Sequence, residues 1–213
     1  MQASIEGHRG RAPRARLLSF GSLRALGALA ALPGLLAACS GGVSDEEGAR
    51  IAYLGADGSI ALALRLGFAG FNAASSANIP TQQGAGLESG TLTITGQVDQ
   101  GASNNKGMRL DASYASYSDG PVEDIRVVYD SETPVAIDLD MKGLPDAALT
   151  GTMVGRVFLS EDLEGALDFA LSFAGTTQAD PNAPGEIRRV PGGTHVSGTA
   201  TSDYGVYDVN LDI

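Results

Sequence analysis

The 213-residue sequence predicts an all-β protein. Three observations carry that reading. Apolar residues recur with period two in segments of strand length. Gly, Pro, Asn and Asp separate those segments at short intervals. After residue 50 no convincing amphipathic helical period appears.

The elements follow in chain order. SGGVSDEEGAR, residues 40–50, is small, polar and acidic, and reads as a flexible tether. SIALALRLGF, residues 59–68, alternates. Ile60, Leu62, Leu64, Leu66 and Phe68 share one face, and Ala61, Ala63, Arg65 and Gly67 the other. The turn pair Asp57-Gly58 precedes it. Residues 72–86, with Pro80 and many small residues, read as a loop. Strands are then expected at 90–98 (Leu92, Ile94, Val98) and 107–115 (Met108, Leu110, Ala112, Tyr114). Two more follow at 123–130 (Ile125, Val127, Tyr129) and 134–141 (Val135, Ile137, Leu139, Met141). Residues 150–160 form a strand with two fairly apolar faces, and 166–175 align Leu167, Phe169, Leu171 and Phe173. A long loop with three prolines leads to a final hairpin around Asp203-Tyr204-Gly205, with Tyr207, Val209, Leu211 and Ile213 on one face.

This makes about nine strands joined by short turns, a single antiparallel meander. It closes as a lipocalin-like barrel or packs as a sandwich; alternation alone does not separate the two.

The N-terminal segment has another character. Residues 1–24 carry Arg9, Arg11, Arg14, Arg16 and Arg24 against one acid, Glu6. An uncharged run, ALGALAALPGLLAA, follows at 25–38. A basic lead, a short apolar stretch and small residues form the pattern of a secretory signal. The run is shorter than the roughly 20 residues of a membrane span, and Pro33 and Gly34 interrupt it. Leu36-Ala37-Ala38-Cys39 resembles the bacterial lipobox. The resemblance implies cleavage before Cys39, a diacylglycerol on its thiol and an acyl group such as palmitate on the new amino terminus. Cys39 is the only cysteine, so no disulfide competes for it. Ser40 stands where an Asp would favour the inner membrane, so the resemblance implies the outer membrane of a Gram-negative envelope. The implied organisation is signal peptide 1–38, lipidated Cys39 and tether 39–50, and an all-β domain 51–213.

Removing residues 1–38 leaves 9 Lys+Arg (14 less five Arg) and 24 Asp+Glu (25 less Glu6), a net charge of −15. Such a chain lacks the clustered cations that phosphate backbones need, which argues against nucleic-acid binding. It is equally unsuited to adhesion on anionic headgroups.

Sites of chemistry are sparse. His195 is the sole histidine after the signal, and no G-x-S-x-G elbow exists. Neither a zinc ligand set nor a triad can be assembled from such a chain. Asp138 and Asp140 form a D-x-D on one strand face, suited to an oxygen-lined Ca²⁺ site or to acid–base work, and more simply to a solvated face. No EF-hand loop is present. Arg65, Arg109, Arg126 and Arg156 each lie opposite an apolar set, where they can line an anion pocket or make cross-strand ion pairs; the second is favoured. Arg188-Arg189 in the long loop reads as a contact point or a site of nicking. Tyr114, Tyr117, Tyr129, Tyr204 and Tyr207 can supply binding surface or pack the core. A transmembrane barrel is disfavoured, because six Phe and six Tyr are too few for two aromatic girdles.

The sequence therefore predicts a non-catalytic, cofactor-free domain held to the outer membrane through Cys39. It is expected to bind a small apolar ligand or an envelope protein. A structural or adhesive surface module is the alternative, and a hydrolytic or other enzyme the third.

Overall fold

The structure is a computed structural model and describes residues 41–99 and 103–213. Its elements are β1 (Gly41–Gly42), α1 (Glu46–Ala73), β2 (Gln82–Ala85), β3 (Ser89–Val98), β4 (Asn105–Ser118), β5 (Val127–Asp130), β6 (Val135–Lys142), β7 (Ala148–Glu161), β8 (Leu163–Ala179), β9 (Ile187–Arg189), β10 (His195–Ser202) and β11 (Gly205–Asp212). The signal segment and Cys39 lie outside the described residues.

The long strands form the expected antiparallel meander, in the order β11-β10-β8-β7-β5-β4-β3-β2. β5 and β6 share one place in it, since both pair with β4 and with β7. β1 and β9 add short pairings to β8 beyond the ends of β10. Inward alternation is clean. In β6, Val135, Ile137, Leu139 and Met141 are buried, while Ala136, Asp138, Asp140 and Lys142 face out. In β8, Leu167, Phe169, Leu171 and Phe173 are buried. Ser116, at φ 48°, bulges β4 and resets its alternation, so that Tyr114 and Tyr117 are both buried.

The first expected strand is instead a helix. Residues 59–68 lie within α1, 28 residues long, and the sheet curves around it. The period-two reading failed because the helix is enclosed on most sides. Ile60, Leu62, Ala63, Leu64, Leu66 and Gly67 are all buried, so its apolar pattern runs nearly all round instead of forming one stripe. Ala63, assigned by alternation to the face opposite Leu62 and Leu64, is fully buried. The exposed positions Ala61, Arg65 and Ala69 recur every four residues, a helical spacing.

The expected tether is also ordered from Gly41 onward. Val43 is buried, and Asp45 is the N-cap of α1, accepting from the Gly48 amide at 2.7 Å. Glu46 and Glu47 place negative charge at the positive end of the helix dipole. Asp57-Gly58 is helix interior and not a turn. The residues read as loop at 72–86 contain β2, and the long proline-bearing loop contains the end of β8 and β9.

β2 and β11 do not pair with each other among the described residues, so the sheet is an open, strongly curved one and not a closed barrel. α1 packs against both β11 and β2–β3. The lipocalin-like alternative fails because the space that would form a calyx holds this helix. Close approach comes from glycine. A Cβ on Gly55 would strike the Tyr129 hydroxyl, and one on Gly67 would lie 2.7 Å from Met108 Sδ. Each costs about 1 kcal/mol of helix propensity and lets the sheet close onto the helix.

Candidate functional site

The polar groups between helix and sheet form the most connected constellation. Tyr129 Oη donates to the Ala52 carbonyl at 2.6 Å. Ser59 Oγ donates to the Ala56 carbonyl at 2.6 Å and lies 2.7 Å from Tyr114 Oη. Tyr117 Oη donates to Asp119 Oδ2 at 2.6 Å. The Tyr114 ring stands edge-on to Tyr117 at 5.7 Å and tilts against Tyr129 at 6.3 Å. Burial pushes the Tyr114 phenol up to about 12, with Ser59 opposing; burial likewise raises Tyr129. Burial and then the Asp119 carboxylate raise Tyr117. Tyr114 and Tyr129 bond α1 directly, Tyr117 packs against Tyr114, and all three are buried and not binding surface.

A second constellation joins α1 to β9. Arg189 clamps Asp57, with Nη1 at 2.9 Å from Oδ1 and Nη2 at 2.6 Å from Oδ2. Tyr53 Oη donates to Asp57 Oδ1 at 2.7 Å. The two ionic side chains are only 11% and 20% exposed. Burial opposes the charge on Arg189, and Asp57 outweighs it, so the guanidinium is held more firmly protonated than usual. Burial and then Asp57 raise the Tyr53 phenol. A bidentate, half-dry pair is costly to break and fixes where β9 crosses the helix. Arg189 is thus a structural clamp and not an open site for nicking. Arg188 borders the adjoining shallow cleft with Ala61, Val190, Pro191 and Thr194.

The other arginines do not converge. Arg156 makes a bidentate pair with its cross-strand partner Asp168, at 2.8 and 2.6 Å. This lowers the Asp168 carboxyl and raises Arg156. Arg126 meets Glu88 at 2.6 Å and precedes β5, so it is not a strand residue. Arg109 lies 3.6 Å from Asp99 and in register with Asp138. Arg65 is on the exposed line of α1, beside a small cleft with Phe68, Asn72 and Glu186.

Asp138 and Asp140 sit on the outer face of β6. No group of three or more possible metal ligands exists among the described residues. His195 Nδ1 lies 2.8 Å from Asp212 Oδ1, its register partner on β11. Ser172 and Ser197 are nearby on the same surface, their hydroxyls 3.4 Å apart. No hydrogen bond joins the imidazole to either serine, and the exposed pair stands on an open sheet face.

Sequence reasoning missed two features, the Asp57–Arg189 clamp and the helix that carries Asp57. The signal for the helix was Asp45 followed by Glu46-Glu47, a cap with an acidic first turn. No protein-family model, curated protein or solved structure matches the chain.

Proposed function

We propose that this chain is a lipid-anchored envelope protein whose domain offers its outer surface to a protein partner, and that it neither carries an apolar ligand nor catalyses a reaction. The anchor reading rests on Leu36-Ala37-Ala38-Cys39 and on the basic and apolar segments before it. With Ser40 after the cysteine, the outer membrane is the favoured site.

One observation carries the choice of function. The concave face of the sheet, where a carrier holds its ligand, is filled by α1, with Ile60, Leu64, Tyr53 and Tyr129 fully buried. Three clefts open on the surface between α1 and neighbouring segments. The outer face of the sheet is polar, bearing Arg109, Asp138, Asp140, Arg156, Ser172 and Asp208. A transmembrane barrel has the reverse arrangement, apolar outside. α1 is long and apolar enough to cross a membrane, but two thirds of its most apolar window is buried inside this fold.

The ligand test uses residues 40–213, which contain the core of the described residues, and the crosslinking test uses the full chain. Titration with cis-parinaric acid should give no saturable fluorescence increase. In cells, a photocrosslinking side chain at Val154, exposed on the outer face of β7, should give one discrete protein adduct. Stoichiometric, saturable parinarate binding with no adduct would restore the carrier reading.

A further inference from the structure

The described chain begins at Gly41, and what lies there decides how the domain sits on its anchor. β1 pairs in parallel with the start of β8, Gly41 with Leu163 and Gly42 with Glu164. The Tyr204 ring lies directly over Gly42, so closely that a Cβ there would collide with it. Ser202 Oγ donates to the Val43 carbonyl at 2.5 Å. The chain is therefore fixed to the domain by its forty-first residue.

Cys39 is two residues upstream. Two extended residues reach about 7 Å at most. A headgroup layer is about 5–8 Å deep, from a bilayer of about 40–45 Å with a hydrocarbon core of about 30 Å. A tether running to residue 50 would let the domain swing freely; the ordered β1 leaves no such slack. If Cys39 is acylated, as proposed above, the end of the domain around Gly41 must sit among the headgroups.

That end carries most of the exposed large apolar side chains among the described residues. Strand register places the turns 86–88, 161–163 and 203–204 at one end of the sheet. Among the described residues four large hydrophobic side chains are exposed; Leu87, Tyr204 and Val206 belong to this end, and Val154 lies elsewhere. Tyr204 is 67% exposed, a ring with a polar tip, of the kind enriched at membrane interfaces. Between these residues stand the exposed acids Glu161, Asp162, Glu164 and Asp203. They repel an anionic surface and tolerate a zwitterionic one.

We propose that the Tyr204–Val206 end is a membrane-docking face, held in one orientation against a zwitterionic lipid surface by the two-residue leash from Cys39. The proposal rests on the lipid-anchor reading, so its test separates the two. The chain contains no Trp, so a single introduced Trp reports alone. Acylated protein carrying Tyr204→Trp, Val206→Trp or, at the opposite end in the turn after β8, Asn182→Trp is reconstituted into phosphatidylcholine vesicles with brominated acyl chains. Each preparation is checked by intact mass and by flotation with the vesicles.

Trp at 204 and at 206 should lose emission and shift to the blue, while Trp at 182 should do neither. Adding phosphatidylglycerol should reduce the quenching. An acylated, floating protein with no quenching at 204 or 206, or with equal quenching at 182, overturns docking and leaves the anchor standing. An unacylated mass with no flotation overturns both.

Discussion

Tyr53, Tyr114, Tyr117 and Tyr129 put four of the six tyrosine hydroxyls between helix and sheet, each with a partner. All four phenols are raised above their ordinary value of 10, chiefly by burial. A raised acid means that the folded protein holds its protons more tightly than the unfolded chain. The stabilisation is complete below pH 10 and is lost as pH rises through the folded values, the Tyr114 step falling near pH 12. Absorbance at 295 nm should therefore show these four still protonated at pH 11 in folded protein. They should be released together when urea unfolds it at the same pH. Four tyrosinates in folded protein at pH 11 would mean that these hydroxyls are not enclosed.

At the scale of elements, α1 is the core that the sheet covers. Leu64 is 1% exposed within it. Leu64→Ala should destabilise the fold by about 2–5 kcal/mol, the range for an enclosed leucine. Urea unfolding monitored by circular dichroism should show one transition moved to lower urea. Hydrogen exchange should protect α1 amides as strongly as those of β7 and β8. A change within 0.5 kcal/mol, or early exchange in α1, would make the helix an accessory.

The longer strands from 89 onward were legible because one face meets the core and one meets water, so alternation survives in sequence. Val135, Ile137, Leu139 and Met141 show it at its clearest. The helix was not legible for the same reason in reverse. Enclosure erases the polar stripe, and Leu62, Leu64 and Leu66 then mimic a strand. The Asp57–Arg189 clamp joins residues 132 apart in sequence, and no local pattern announces such a pair. The short pieces β1, β2 and β9 were missed because they exist only through pairing with longer neighbours.

At the scale of the whole molecule, three facts fit together. The concave face is filled, the outer face is polar, and the chain enters at the end bearing Tyr204 and Val206. A net charge of −15 over residues 39–213 favours solvation of such a domain and repels it from anionic surfaces. Its own charge gives it no affinity for the membrane; the acyl chains proposed on Cys39 would supply what charge does not, at about 0.8 kcal/mol for each buried CH₂. The proposed anchor stands on Cys39. Expressed in a Gram-negative host, the membrane-fraction protein should have the intact mass of residues 39–213 plus a diacylglyceryl group and an acyl chain, and Cys39→Ser should abolish that species. An unmodified mass in the soluble fraction would contradict the anchor and make Cys39 incidental.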